Sequence, residues 1–315
     1  MRKAFVDALM QLCEKDSKIM LLTGDLGFSV FEKFKERFPE QYLNAGVAEA
    51  NLVGMAAGLS LEGYKVFIYS IATFLVYRTL EQIRNDLCYQ NLPVIVVGVG
   101  GGLAYGNAGP SHHATGDIAV MSSLPNMTVI CPGDPAEVHQ TMKEITGIRG
   151  PVYLRLNRSK DPIIHENGIS NFKIGKALIV NQGKDVLLIS TGNTLEIGHK
   201  VRQQLTSKGF SVELISMHTI KPFDQETFLN EIKGKRLVVT IEEHTKYGGL
   251  FSNISSLLVE NGISINLLPV YLPDSFVNVS SSQGHLRSLY GLDASSIESK
   301  VLRMLKNKES ETHAR

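Results

Sequence analysis

One carboxylate, Glu49, opens a run of small residues: Gly46-Val47-Ala48-Glu49-Ala50-Asn51-Leu52-Val53-Gly54-Met55-Ala56-Ala57-Gly58. The chain around it offers no usual partner. Upstream an apolar run ends in a Gly-Asp turn at Asp25; downstream come the apolar segment Lys65–Tyr69 and two rings, Phe74 and Tyr77. A glutamate in a first helical turn can simply favour the helix dipole. Beside aromatic rings, however, burial penalises its charge, and a ring nitrogen becomes a natural proton-sharing partner. The pattern suits a flat, nitrogen-bearing heterocycle.

The aminopyrimidine of thiamine diphosphate is such a ring. Its activation needs a carboxyl on the pyrimidine nitrogen, and the cofactor then supplies the electron sink. Other residues can be weighed against that idea. Asp25 follows the first strand, where open α/β sheets bind ligands, although a turn aspartate would look the same. Phe74 and Tyr77, three apart, share a helix face, which by itself also describes core packing. The glycine-rich segment 98–109 leads into Pro110-Ser111-His112-His113. Glycines let backbone approach a ligand, and loop histidines suit proton transfer or polar recognition. Zinc is poorly served there, because no Cys or carboxylate lies at ligand spacing, and no nucleotide P-loop is present. Glu242-Glu243-His244, ahead of Gly248-Gly249, reads best as a strand-to-helix turn with interface charges. Arg78, Glu81, Gln82 and Arg84 read as solvated or interface groups.

These residues need a scaffold. Strand-like and helix-like segments alternate, which predicts α/β layering on mostly parallel sheets. Strands are expected at Ile19–Thr23, Val66–Tyr69, Pro93–Val99, Met127–Cys131 and Pro151–Leu156. Helices are expected at Arg2–Lys15, Ala48–Glu62, Thr79–Gln90, Asp117–Ser123 and Pro135–Ile145. A polar, irregular stretch begins near Lys160. A second unit follows, with strands at Asp185–Ser190, Val212–Ser216 and Leu237–Ile241 and helices at Thr194–Lys208 and Leu250–Glu260. The expected fold is two α/β domains, residues 1–165 and 185–306, joined by a linker (166–184) and followed by a frayed polar tail (307–315).

Bulk properties exclude several partners. With 315 residues and 43% hydrophobic against 20% charged composition, the chain can bury two cores. A net charge of +1 predicts neither nucleic acid nor an anionic membrane as partner. No apolar run approaches the ~20 residues of a membrane span. Cys13, Cys88 and Cys131 form no paired motif, so buried, reduced thiols in a cytoplasmic protein are expected.

Taken in order and spacing, several motifs resemble the C-terminal part of transketolase over essentially the whole chain. They are Gly-Val-Ala-Glu49, Thr73-Phe74 with Glu81-Gln82-Ile83-Arg84, Gly109-Pro110-Ser111-His112, Leu124-Pro125-Asn126-Met127-Thr128-Val129, and Glu242-Glu243-His244 with its Gly-Gly. The resemblance is to the shorter, separately encoded subunit of split transketolases. It implies a pyrimidine-binding domain and a transketolase C-terminal domain. It implies that Glu49 activates thiamine diphosphate, that Phe74 and Tyr77 pack on its aminopyrimidine, and that Asp25 lies beside it. His112 would face the reacting centre, with His113 a further substrate contact, and Arg2, Ser29 and Arg158 would clamp a sugar phosphate, as arginine forks suit phosphate oxygens.

Three positions depart from the pattern. Gly100 stands where a clamp histidine is expected, Ala108 where an aspartate reads a substrate hydroxyl, and His113 where a glutamine follows the histidine. The Gly-Asp-Gly…Asn motif for Mg²⁺ and diphosphate is missing, since Asp25 sits in Gly24-Asp25-Leu26-Gly27. No metal site is expected in this chain. The resemblance therefore implies a second polypeptide that holds Mg²⁺ and diphosphate, an α2β2 assembly, and transfer of a two-carbon ketol unit between sugar phosphates. Rival expectations are the beta subunit of a 2-oxo acid dehydrogenase, which needs no phosphate clamp, a 1-deoxyxylulose-5-phosphate synthase-like activity, and a non-catalytic paralogue.

Overall fold

Continuous apolar runs bury both faces of a strand. The computed structural model, which describes residues 1–158 and 161–313, builds twelve strands into two sheets, with fully buried strands at the centre of each. In chain order they are β1 (Ile19–Thr23), β2 (Tyr42–Asn44), β3 (Lys65–Ile71), β4 (Ile95–Val99), β5 (Thr128–Ile130), β6 (Val152–Leu156), β7 (Leu178–Asn181), β8 (Val186–Ser190), β9 (Val212–Ser216), β10 (Thr219–Lys221), β11 (Leu237–Thr245) and β12 (Leu267–Leu272). The first sheet runs β10-β5-β6-β4-β3-β1-β2 and the second β12-β11-β8-β9-β7. Both are parallel except at one edge each, β10 on β5 and β7 on β9. The two-domain, mostly parallel α/β architecture is as expected.

Side chains alternate across the first sheet, as the pleat requires. Leu22, Ile68 and Val96 pack with Leu52 and Val53 of the helix Glu49–Leu61. Leu21, Phe67 and Val97 pack with Phe5 and Leu9 of the helix Arg2–Cys13. Strand order reverses at β1, which pairs with β2 on one side and β3 on the other. Such a switch point opens a crevice at the carboxyl ends of the strands. Into it run Gly24 and Asp25 after β1, Gly46–Glu49 after β2, and Thr73–Arg78 after β3.

Several elements differ from expectation. The single helix expected over Thr79–Gln90 is a short turn, Leu80–Gln82, running into a π-helix, Ile83–Cys88. Ahead of it lies a separate helix, Ala72–Arg78, which carries Phe74 and Tyr77, the pair read as sharing a helix face. Periodicity could not separate these pieces, because the apolar pattern is continuous across them while the hydrogen-bond register slips. β7 lies inside the stretch expected as linker and pairs with β9, and β10 crosses over to extend the first sheet. The helix Ala294–His313 continues through most of the segment expected to fray. Lys160, near which the irregular stretch was expected to begin, and residues 314–315 of the tail lie outside the described residues.

The three cysteines are free and buried, and burial pushes their thiols up to about 12, 11 and 12 for Cys13, Cys88 and Cys131. Such thiols are inert packing groups at neutral pH. No helix among the described residues is long and apolar enough to cross a membrane.

Candidate active site

Glu49 enters the crevice from the first turn of its helix and is buried. Its Oε1 faces the Ser70 hydroxyl at 3.4 Å, and its Oε2 accepts from Arg78 Nη1 at 3.2 Å. Sequence reasoning missed Arg78, treating it as one polar group among several. The structure half-exposes it and lays its guanidinium over the Phe74 ring, 3.9 Å from the centroid. Its signal was positional: an arginine one helical turn after Phe74 on the face that meets Glu49.

From Phe74 the contacts continue. The His112 ring meets Phe74 edge-on at 4.9 Å and lies 5.7 Å from Tyr105. Tyr105 in turn lies under the Arg158 guanidinium at 4.6 Å. Burial, reinforced by His113, Arg78 and Arg158, holds the His112 imidazole below its ordinary range, so it is neutral at neutral pH. Its Nδ1 shares a hydrogen bond with Ser111 Oγ at 3.0 Å.

At the far end Arg2, Ser29 and Arg158 line one cavity of about 540 Å³, together with Lys3 and Lys33. Arg2 Nε donates to the Arg158 carbonyl at 3.1 Å. Ser29 holds a left-handed backbone (φ 61°) and donates its N–H to Glu32 at 2.6 Å. The three expected clamp residues are therefore brought together. Asp25 is also left-handed (φ 56°) and is locked to Asn44 by two 2.9 Å bonds, backbone N–H to Oδ1 and Nδ2 to carboxylate. Asn44 reaches on to the Gly46 N–H at 3.0 Å, which fixes the turn ahead of Glu49.

Tyr77 and His113 turn elsewhere. His113 is buried, bonds the Gly106 carbonyl through Nε2 at 3.3 Å and, with Tyr77, lines a second cavity. The adjacent histidines thus have different partners, His112 the Phe74 and Tyr105 rings and Ser111, His113 the Gly106 carbonyl.

A buried network supports that loop. Asp117 accepts from Tyr153 at 2.6 Å and from Arg155 Nε at 2.8 Å, while Arg155 Nη2 donates to the Ala114 carbonyl at 2.9 Å. The charged residue inside Val-Tyr-Leu-Arg-Leu was its signal in the sequence. Glu243 is also structural. It accepts from the Leu103 N–H at 2.6 Å and Arg287 Nε at 2.7 Å, while Glu242 caps the helix Leu250–Glu260 through the Leu250 and Phe251 N–H groups. The sequence led us to expect interface charges on a strand-to-helix turn; the charges do join the two halves, but the strand expected to end at Ile241 runs on to Thr245, so Glu242, Glu243 and His244 are buried strand residues.

The donor set fits one end of thiamine diphosphate. Glu49 offers a buried carboxylate edge beside the Phe74 ring, which meets the half-exposed Arg78 and the His112 ring, and nothing lies within 4 Å of a Cβ placed on Gly46. Among the described residues one cluster has ligand geometry, Asp134, Glu137 and His165. Its carboxylates already accept from Glu137, Ile164 and Gly133 backbone N–H groups and from His165.

Residues 1–162 match the family described as transketolase, pyrimidine binding domain, and residues 175–297 match transketolase, C-terminal domain. The chain belongs to the transketolase family. It is 34% identical to an apulose-4-phosphate transketolase subunit of Phocaeicola vulgatus, over 97% of each chain. It is 32% identical to the 6-deoxy-6-sulfo-D-fructose transketolase subunit of Clostridium sp., over 94% of this chain and 92% of that one. A solved structure described as a split gene transketolase, inactive beta4 tetramer, superposes with a TM-score of 0.86 at 34% identity, covering 97% of both chains. In this transketolase-family chain, then, the match spans both domains and extends to separately encoded subunits.

Proposed function

We propose that the chain is one subunit of a split, thiamine diphosphate-dependent transketolase. In the cytoplasm it moves a two-carbon ketol unit from a ketose phosphate to an aldose, and it acts only with a separate subunit carrying the Gly-Asp-Gly…Asn domain for Mg²⁺ and diphosphate, as an α2β2 assembly. The observation that carries this reading is the unbroken line from Arg158 through Tyr105, His112, Phe74 and Arg78 to Glu49. A cavity lined by Arg2, Lys3, Lys33 and Arg158, with Asp7 as its one acidic residue, stands at one end of that line and the buried Glu49 carboxylate at the other.

Thiamine diphosphate, when bound, supplies the electron sink for carbon–carbon cleavage. The chain's residues do the rest. Glu49 would hold the pyrimidine nitrogen and share a proton with it, and Arg78, already on that carboxylate, would compete for it or help to fix it. Neutral His112 lies where it can take a proton from, or return one to, a substrate hydroxyl. Arg2, Arg158 and Ser29 hold the phosphate, which fixes the distance from phosphate to carbonyl. At Gly100 the Tyr105 ring fills the space that a clamp histidine would take, since even a Cβ there would meet it. Relatives named for apulose 4-phosphate and sulfofructose support a specialised sugar over a central pentose phosphate.

The test is reconstitution. The chain, alone and mixed with a subunit carrying the diphosphate-binding domain, receives thiamine diphosphate, Mg²⁺ and xylulose 5-phosphate, and glyceraldehyde 3-phosphate is followed. Release only in the mixture is expected. Decarboxylation of a 2-oxo acid in place of release would move the chain to the dehydrogenase family.

A further inference from the structure

Tyr105 stands between His112 and the phosphate end of the candidate site. Its ring rests on the backbone just past the end of β4, where Gly100 holds a left-handed conformation (φ 88°) and a Cβ would collide with the ring. Gly100 is therefore needed twice, for its backbone angle and for the missing side chain that admits the ring. The departure at Gly100 and the ring of Tyr105 are one feature.

The ring is fixed from other directions as well. It packs against the core cluster that holds Phe5, Phe31 and Tyr69. The Tyr105 carbonyl accepts from the Ala108 N–H at 2.7 Å, and the next residue, Gly106, lies so close to the Ser281 carbonyl that a Cβ would not fit. Burial holds the phenol above its ordinary range, against the pull of Arg158 and Arg2, so the ring is neutral at neutral pH.

On this platform lies Arg158, its guanidinium 4.6 Å from the ring centroid. Arg158 is exposed, and its side chain makes no hydrogen bond or ion pair with another described residue. Without the ring, a ligand would have to order a long, rotamer-rich side chain. Stacking engages the face of the guanidinium and leaves the N–H groups in its plane free to fork onto phosphate oxygens. The same ring lies 5.7 Å from His112, so one rigid group spaces the phosphate end from the histidine.

We propose that Tyr105 is a positioning residue, whose ring face preorganises Arg158 for phosphate and so sets the affinity for phosphorylated sugars. This rests on the reading of Arg2, Ser29 and Arg158 as a phosphate clamp. Tyr105 acts through Arg158 and takes no proton from the substrate.

Calorimetric titration of the full chain with D-ribose 5-phosphate, and with D-ribose as the unphosphorylated control, tests it. Tyr105→Phe keeps the ring face and drops the hydroxyl, whereas Tyr105→Leu and Tyr105→Met keep apolar bulk and drop the face. Wild type and Tyr105→Phe are expected to bind the phosphate ester within about twofold of each other, and the ringless variants about two- to thirtyfold more weakly. D-Ribose should not discriminate among the four. In the mixture with a diphosphate-binding subunit, the ringless variants should raise KM for xylulose 5-phosphate by a similar factor and leave kcat nearly unchanged. A fall in kcat in its place would make Tyr105 a mere support for the His112 loop and overturn the proposal. Equal binding by ringless and wild-type chains overturns it too, and leaves the clamp standing. Loss shared by Tyr105→Phe overturns it as well, because the hydroxyl and not the face would then hold the ligand. A wild-type chain that ignores D-ribose 5-phosphate at tens of millimolar overturns the clamp, and the proposal with it.

Discussion

Arg78 and Glu49 set the chemistry of the crevice before any ligand enters it. Arg78 is half-exposed, so its pair with Glu49 falls among surface ion pairs of ~0.2–1 kcal/mol. Arg78→Ala removes a competitor for the carboxylate. The apparent Kd for thiamine diphosphate in the reconstituted enzyme is expected to fall by up to about fivefold. Weaker cofactor binding would show that Arg78 holds the ring and does not compete with it. Glu49→Ala removes the proton partner itself. Turnover in the mixture should drop at least ~10²-fold, the low end of what a positioned acid–base group contributes, while the Tm of the chain hardly moves; near-normal activity would sink the cofactor assignment. Arg158→Ala is expected to raise KM chiefly for phosphorylated donors. Comparing phosphorylated with unphosphorylated ketoses checks this, because an equal effect on both would remove the clamp.

At the scale of elements, legibility followed physics. β1 and the helix Pro135–Ile145 were readable to the residue, because continuous burial and an Asp134 cap with Pro135 at the first position mark them. Glu49, Phe74 and the expected clamp residues were singled out through the resemblance, from motif order and position. Their grouping on one line was not readable, because it depends on the switch between β2 and β3 that only tertiary pairing creates. β10 and β2, at three residues each, carry too little pattern to see. The π-helix escaped for the opposite reason, since a slipped register leaves the hydrophobic pattern intact.

Glu242 gives this scale its own prediction. Complete burial pushes its carboxyl from 4.5 up to about 7, against the lowering pull of the Leu250 and Phe251 N–H groups. A raised folded-state value means the stabilisation is full below the unfolded value and lost as pH rises through about 7. Glu242→Gln should therefore flatten the fall in Tm between about pH 5 and about pH 8. Thermal melts of both proteins across that range test it, and parallel curves would show that Glu242 stays ionised.

On the scale of the whole molecule, the two halves share their fastenings. The Thr245 N–H donates to the Thr115 carbonyl at 2.9 Å, and the Cys131 N–H to the His218 carbonyl at 2.7 Å. Loop 100–117 is clamped from behind by Glu243 and Arg155. The crevice, by contrast, opens outward past Val47 and Phe28, which are 73% and 75% exposed. Apolar groups so bare beside a candidate site suit coverage by another chain. Size-exclusion chromatography of the chain with a diphosphate-binding subunit should give one co-eluting species that carries all the turnover, with none in the chain-only peak. Activity in the latter would end the split-subunit reading.

The crossing of β10 also bears on how such proteins can be divided. Thr219–Lys221 completes the first sheet by pairing with Thr128–Ile130. A cut anywhere between residue 162 and residue 219 strips that edge and leaves β5 with unpaired N–H and C=O groups, a template for aggregation. The boundary between the two matched families is thus no seam in the physical object. Gene fission or domain exchange that treats it as one would yield halves that cling to the wrong neighbours, and chimaeras of this family are better joined on either side of the pair than between its members.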